Sequence, residues 1–454
     1  MNLSRAIVLF APLMVFVRAG AEPARVGAEP LSVADAVRVA IERNPDMTAA
    51  RERVSQARSR LDAARAAFYP SLSLGAERLQ GDAPSAYLFK RIDSRKLPAG
   101  VDFNAPGEFG NTEVGATLNW TVWDGGRRSL GRDRADHVIA AETASRDAVG
   151  NALIATTIQA YHDVLAASEY VKVADRSLDA VRAQLREVRV RHELGSALRA
   201  DVLAIEVREA QGRERRIRAG NGEALARAAL RRLLDMDADA DLALSGEEWV
   251  PAQLPTSFDE GLKIALRTRA EIQAIESQRD AARTGVTLAE RQFWPQLDMT
   301  ARYWYDDEDL DMATDRDNWT VGAALTWTGF DGGLRRSARR GAVAQAAEME
   351  ALRRATVRRI ELEVKQAYLN LADARARFDV AESNVGRAAE SLALVRSLYE
   401  NGAVTVTRYL QSEADNTEAL FREISSRYDV KQAIAGLGHV LGLCLKCAQG
   451  GMVE

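Results

Sequence analysis

The sequence predicts a mainly α-helical protein with a small β part, built from one unit written twice: a helix, a β-hairpin, a long helix and a returning helix. Three observations carry that prediction. The chain aligns with itself over most of its length, and its prolines are confined to a few junctions. Its apolar residues also change period, from seven in the proline-free tracts to two beside a repeated Asp-Gly-Gly turn.

The repeat sets the frame. Ser32 to Leu72 matches Ser257 to Leu297 at a constant offset of 225, with Phe68-Tyr69-Pro70 answering Phe293-Trp294-Pro295. From Trp123-Asp124-Gly125-Gly126 and Phe330-Asp331-Gly332-Gly333 onward the offset is 207, and it aligns Tyr161 with Tyr368 and Leu234 with Leu441. The difference of 18 residues falls between Pro70 and Trp123, so the first hairpin carries a longer loop. The expected organisation is a leader over 1–21 and a first repeat over 22–234, with its hairpin at 71–123 and a helical tip near 195. A linker follows over 235–256. The second repeat covers 257–443, with its hairpin at 296–330 and a tip near 402, and a tail covers 444–454.

The opening residues read as an export signal. Arg5 supplies a basic region, Ala6 to Val17 form an apolar run, and Ala19-Gly20-Ala21 offers small residues before a cleavage point at Glu22. No later segment approaches 18 uninterrupted apolar residues, so any membrane crossing has to be made by strands. A net charge of −4 gives no footprint for nucleic acid, and four histidines with two cysteines leave little material for metal or thiol chemistry.

Strands flank each Asp-Gly-Gly. Val114, Ala116, Leu118, Trp120 and Val122 alternate with Gly115, Thr117, Asn119 and Thr121; Trp319, Val321, Ala323, Leu325 and Trp327 alternate with small and polar residues. The incoming strands are marked by Leu72, Leu74 and Ala76, and by Leu297, Met299, Ala301 and Tyr303. Alternation of period two gives one apolar and one polar face. Six tryptophans (Trp120, Trp123, Trp294, Trp304, Trp319 and Trp327) stand in or at the ends of these strands, as in the interfacial girdles of a membrane barrel.

Proline is absent between Asp124 and Val250 and after Pro295, which leaves those tracts free to be long helices. Val164, Val171, Leu178, Leu185 and His192 fall seven apart, with Ala167, Ala174, Val181 and Val188 between them; the second copy repeats the seam from Leu371 to Tyr399. A strict seven-residue period winds helices into a left-handed coiled coil. Four strands per chain cannot close a barrel, and open strand edges are not tolerated in lipid, so several chains have to share one.

This ordered and duplicated pattern resembles the TolC-like outer-membrane efflux proteins over essentially the whole mature chain. It comprises an opening Ala-x-Arg-x-Ala-Ile helix, the Tyr/Trp-Pro-x-Leu junction, the aromatic-Asp-Gly-Gly turn and a glycine tip. The resemblance implies a homotrimer in the outer membrane of a Gram-negative cell, with a twelve-strand transmembrane β-barrel above a long coiled-coil α-helical periplasmic barrel. It also implies as partners outer-membrane lipid, a periplasmic adaptor (membrane fusion) protein and an inner-membrane pump of RND or ABC type. By the same resemblance the tips Leu194-Gly195-Ser196 and Asn401-Gly402-Ala403 meet the adaptor. Some members carry two aspartates six and nine residues after the second tip glycine. Arg408 and Gln411 stand there in this chain, and Asp201, six after Gly195, is the expected partner of Arg408 in holding the periplasmic entrance closed.

Other features carry less. Cys444-Leu-Lys-Cys447 has redox spacing but no further ligand, which fits a disulfide or an incidental pair. Asp306-Asp307-Glu308-Asp309, with Asp311, Asp315 and Asp317, reads as a solvated acidic loop or a surface cation site. No nucleophile, base, cofactor motif or phosphate loop emerges, so the chain reads as a non-enzyme without a cofactor. The leading expectation is a passive exit duct of a tripartite pump for small toxic solutes, drugs or metal ions. A channel for type I protein secretion is the alternative within that class, and a non-porous periplasmic coiled-coil scaffold the alternative outside it.

Overall fold

A computed structural model describes residues 30–102, 104–246, 254–308 and 317–443. The leader, Cys444 and Cys447, and Asp309, Asp311 and Asp315 of the acidic loop lie outside the described residues. The first copy comprises α1 (Val33–Arg43), α2 (Pro45–Ala66), β1 (Ser71–Gly81), α3 (Pro84–Asp93), β2 (Phe109–Trp123), α4 (Arg127–Glu193) and α5 (Arg199–Leu233). The second comprises α6 (Phe258–Thr268), α7 (Ala270–Arg291), β3 (Gln296–Asp307), β4 (Asp317–Thr326), α8 (Leu334–Glu400) and α9 (Val406–Val440). No helix among the described residues is long and apolar enough to cross a membrane.

Two details of the helices differ from the sequence expectation. Each copy opens with two helices rather than one. In the first, Pro45 forces Asn44 out of helical geometry (ψ 131°). In the second no proline is present, yet Arg269 takes the same extended turn (ψ 121°). Its buried guanidinium lies 2.5 Å from Glu271 and 2.6 Å from Glu363, so an ion-pair cluster replaces the proline as the cause of the bend. The second difference is α3, a helix inside what reads as the longer first loop; Pro84 occupies its first turn, where a missing N–H costs nothing.

The strands form one antiparallel sheet in the order β1-β2-β3-β4. Register places Leu72, Leu118, Ala301 and Val321 in one row and Leu74, Ala116, Tyr303 and Trp319 in the next, so the apolar residues of all four strands share a face. Ser73, Thr117, Arg302 and Thr320 make a row on the opposite, polar face. A bulge between Thr121 and Trp123 shifts the alternation by one, and Trp123 rather than Val122 pairs with Leu297 on the apolar side. Trp304 requires a correction: paired with Gly115 and Asn318, it stands on the polar face and does not join the aromatics of the apolar face, where the girdle was expected. Its indole N–H donates to Asp306 (2.8 Å), and a Cβ on Gly115 would lie 2.7 Å from the Trp304 Cβ.

Below the sheet, α4 and α8, each 67 residues, extend about 100 Å at 1.5 Å per residue. The heptad seam of α4 is buried at Val164, Ala174, Leu178, Val181, Leu185 and Val188, where α5 returns against it. In α8 the corresponding seam is buried at Leu371, Ala374 and Val395 and half-exposed between them. Each copy has a core centred on its repeated tyrosine. The Tyr161 hydroxyl donates to the Leu31 carbonyl (2.9 Å) and that of Tyr368 to the Pro255 carbonyl (2.8 Å), pinning the segment that enters each copy's first helix. Gly261 lies directly under the Tyr368 ring, so a Cβ there would collide with the hydroxyl oxygen and lie 2.8 Å from a ring carbon. Gly261→Ala is expected to lower stability by about 1–3 kcal/mol, the usual cost of overpacking. Combining it with Tyr368→Ala should remove most of that penalty in thermal unfolding; equal loss in both backgrounds would contradict the contact.

Candidate functional site: joints, tips and cross-ties

Each strand-to-helix joint is built the same way. The Asp124 carboxylate accepts the N–H groups of Gly126 (3.1 Å) and Arg128 (2.9 Å), and Asp331 accepts those of Gly333 (3.0 Å) and Arg335 (3.1 Å). These bonds satisfy donors that a helix N-terminus otherwise leaves open. Arg128 then donates to the carbonyls of Val122 (3.0 Å) and Ala67 (3.2 Å), and Arg335 to those of Thr328 (2.5 Å) and Gln292 (3.4 Å). Each guanidinium also covers an aromatic ring, Phe68 at 5.2 Å and Phe293 at 4.9 Å. One arginine therefore ties together the outgoing strand, the incoming helix and the aspartate cap. Gly125 is held by Trp294, whose Cβ would lie 2.8 Å from a Cβ at that glycine.

At the far end, Gly195 (φ 75°) and Gly402 (φ 73°) are left-handed and close matching helix ends. Ser196 N–H bonds to the Arg191 carbonyl and Ala403 N–H to that of Leu398, both at 2.8 Å. Leu194 is 78% exposed, and Ser196, Asn401 and Ala403 are also open to solvent. Of the expected entrance residues, Asp201 accepts the Leu198 N–H at the start of α5 (3.2 Å), Arg408 lies in the first turn of α9, and Gln411 donates to Asp415 (2.8 Å). Among the described residues of one chain no ion pair joins Asp201 to Arg408. Instead Arg191 covers the Tyr399 ring, which stacks on Tyr409 at 5.2 Å.

The two helical hairpins are tied together farther up. Glu413 on α9, nearly buried, accepts Ser177 of α4 (2.8 Å), Thr417 (3.1 Å) and Arg208 of α5 (3.0 Å). Higher still, Glu169 pairs with Arg427 and accepts the Tyr428 hydroxyl (2.8 Å), and Gln432 donates to Asp163 (2.6 Å). Near the top of α9, burial and then the neighbouring Arg269 guanidinium hold the His439 imidazole below its usual 6.5, against Glu271 and Glu363. The folded state thus binds the proton less well than the unfolded state. The stability this neutral histidine supports is complete above pH 6.5 and is lost as pH falls below it. Thermal unfolding between pH 7 and 5 should show a shallower acid decline in His439→Gln than in the parent; parallel curves would contradict the assignment.

The outer membrane efflux protein family profile matches residues 36–235 and 261–443, one segment per copy. The chain belongs to the outer membrane efflux protein family. It is similar to Protein CyaE of Bordetella pertussis, with 23% identity over 399 residues, 87% of this chain and 80% of that one. Its fold is similar to that of a membrane protein from Pseudomonas aeruginosa (21% identity, TM-score 0.78, covering 90% of this chain and 93% of the other). It is also similar to that of the Campylobacter jejuni CmeC outer membrane channel (16% identity, TM-score 0.79, covering 90% and 85%).

This efflux protein belongs in the outer membrane, with its strands in lipid and its long helices in the periplasm. Trp319 stands on the apolar sheet face, at the end of the strands away from the helices, and is 70% exposed. Trp120, Trp123, Trp294 and Trp327 gather at the helix end, where Trp120 and Trp327 donate to the carbonyls of Phe68 and Phe293, both at 3.1 Å. Arg128, Arg335, Arg208 and Glu413 escaped sequence reasoning. For the two joint arginines a signal existed, since each stands four residues after the aspartate at the same offset of 207. Glu413 and Arg208 are separated by 205 residues and carry no local mark.

Proposed function

We propose that three copies of this chain form a passive outer-membrane exit duct that conducts small toxic solutes, drugs or metal ions, from a periplasmic adaptor and an inner-membrane pump to the exterior. One observation carries the reading. The four strands present a continuous apolar face and a continuous polar face, both sheet edges are unpaired among the described residues of the chain, and the strands lead directly into 67-residue helices. An open edge in lipid leaves backbone groups unsatisfied, and copies of the same sheet supply the missing partners. The chain's role is to enclose and conduct, without a cofactor or a catalytic step. The exposed tips at Gly195 and Gly402 are the surface offered to the adaptor.

The test is accumulation of a fluorescent efflux dye in cells lacking the chain and in cells with it restored. Restoration should lower accumulation several-fold; equal accumulation, with the protein present in the outer membrane, would contradict the duct. The entrance reading adds a prediction. Asp201 and Arg408 pair between neighbouring chains, so Asp201→Arg or Arg408→Asp alone should admit a large antibiotic that the parent excludes. The double exchange should restore exclusion, and additive leakiness would sink the pair.

A further inference from the structure

The outer end of the sheet carries a second, separate construction. Helix α3 lies against the polar face of the strands, not beside the lipid face. Its Lys90 ammonium reaches Glu113 (2.5 Å) and the fully buried Asp306 (2.9 Å), both on polar-face rows. Asn111 donates to the same Asp306 (2.7 Å), and Arg302 pairs with Glu113. Tyr87 packs edge-on against Phe109, with ring centroids 5.5 Å apart. Behind the helix, Lys96 pairs with Asp307 (2.9 Å), and Arg95 donates to the Asp317 carbonyl (3.0 Å) and the Asn318 side chain (3.1 Å). Asp306 and Asp307, expected in a solvated acidic loop, are instead buried at the end of β3 and held by the cations of α3 and the turn after it.

That arrangement fixes which way α3 faces. Tyr87, Lys90 and Ser94 point to the sheet and are buried or half-buried, whereas Ser85, Phe89 and Ile92 form the opposite stripe. Phe89 is 65% exposed and Ile92 45%. In a barrel with polar residues inward, the polar sheet face encloses the channel, so these two apolar side chains point toward its axis. They cannot reach lipid, which lies across the sheet. Apolar surface directed into an aqueous mouth calls for an apolar partner.

We infer that the partner is the same stripe of the other two copies, and that three α3 helices meet through Phe89 and Ile92 to close the outer mouth. This rests on the three-chain barrel proposed above. Twelve strands about 4.8 Å apart and tilted about 40° make a backbone cylinder about 24 Å across. Three helices about 10 Å in diameter touching round an axis span about 22 Å, wider than the bore left by the wall's own side chains but matched to its rim, where Glu113 and Asp306 at the strand ends anchor α3, so there they leave no open lumen. The Lys90 tie to Glu113 and Asp306 holds each helix in the closed position.

The experiment uses the full chain in outer membranes, with Cys444→Ser and Cys447→Ser to remove the native thiols. Phe89→Cys and, separately, Ile92→Cys are oxidised mildly, and single-channel conductance of Phe89→Ser/Ile92→Ser is recorded in planar bilayers, with Arg408→Asp present in both it and its parent so that the periplasmic entrance does not limit the current. At least one cysteine variant should give covalent dimers between chains, and the double serine variant should conduct several-fold more than the parent. Trimers in which neither cysteine cross-links, or a conductance equal to the parent's, would overturn the closure and leave the duct standing. A parent recovered as monomers would overturn the three-chain barrel, and the closure with it.

Discussion

Replacing Asp124 and Asp331 together by alanine is expected to leave little assembled protein in the outer membrane. Each carboxylate accepts two backbone N–H groups at the start of a 67-residue helix and pairs with a largely covered arginine, Arg128 at 3.3 Å and Arg335 at 2.7 Å. At the buried Asp124, loss of the cap costs about 1 kcal/mol and the guanidinium left without its carboxylate about 1–3 kcal/mol more. The joints lie in different copies with no shared partners, so the loss at Asp331 should add to it. Asparagine at both positions keeps only one of the two backbone bonds at each joint, because its amide nitrogen cannot accept the second N–H, and should recover less than half of the deficit. The yield of trimer in purified outer membranes orders the variants. Equal yields for parent, asparagine and alanine would show that the strand-to-helix bend does not depend on the caps.

The second large effect is expected at Glu413. Its side chain is 8% exposed and that of Arg208 14%. Glu413→Ala leaves a nearly buried guanidinium without its carboxylate, with only Gln211 among the described residues still accepting from it, and takes the acceptor from Ser177 and Thr417, at a cost of about 3–5 kcal/mol. The companion Glu413→Met/Arg208→Met pair removes both charges together and should cost far less, because an apolar replacement of a buried pair is often close to neutral. Thermal unfolding of parent, both single variants and the pair gives the coupling directly. Additive losses would mean that α5 and α9 are not held to each other through this contact.

Much of the architecture was legible because the signals are local. The Asp-Gly-Gly turns, the glycine tips and the proline-free helices follow from short-range chemistry, and duplication doubled each signal. Trp304 was misplaced in the girdle although its signal was there: it falls one position out of step with Met299, Ala301 and Tyr303, and strict alternation sends it to the polar face. The Thr121–Trp123 bulge was not, since one extra residue in a strand leaves no compositional trace. The bend at Arg269 lacks the proline that marks its counterpart, because Glu363, 94 residues away, helps to hold it. In the first hairpin the excess length announced an insertion. Its fold as α3 depends on Lys90 finding Asp306 across 216 residues, which no window of sequence contains.

The shared barrel is the claim on which the duct depends, and the native mass of the protein extracted from outer membranes in mild detergent tests it most directly. A particle containing three chains, losing its assembly when β4 is blocked by Val321→Pro, is the predicted result. A single chain, or recovery in the soluble periplasm, would contradict it.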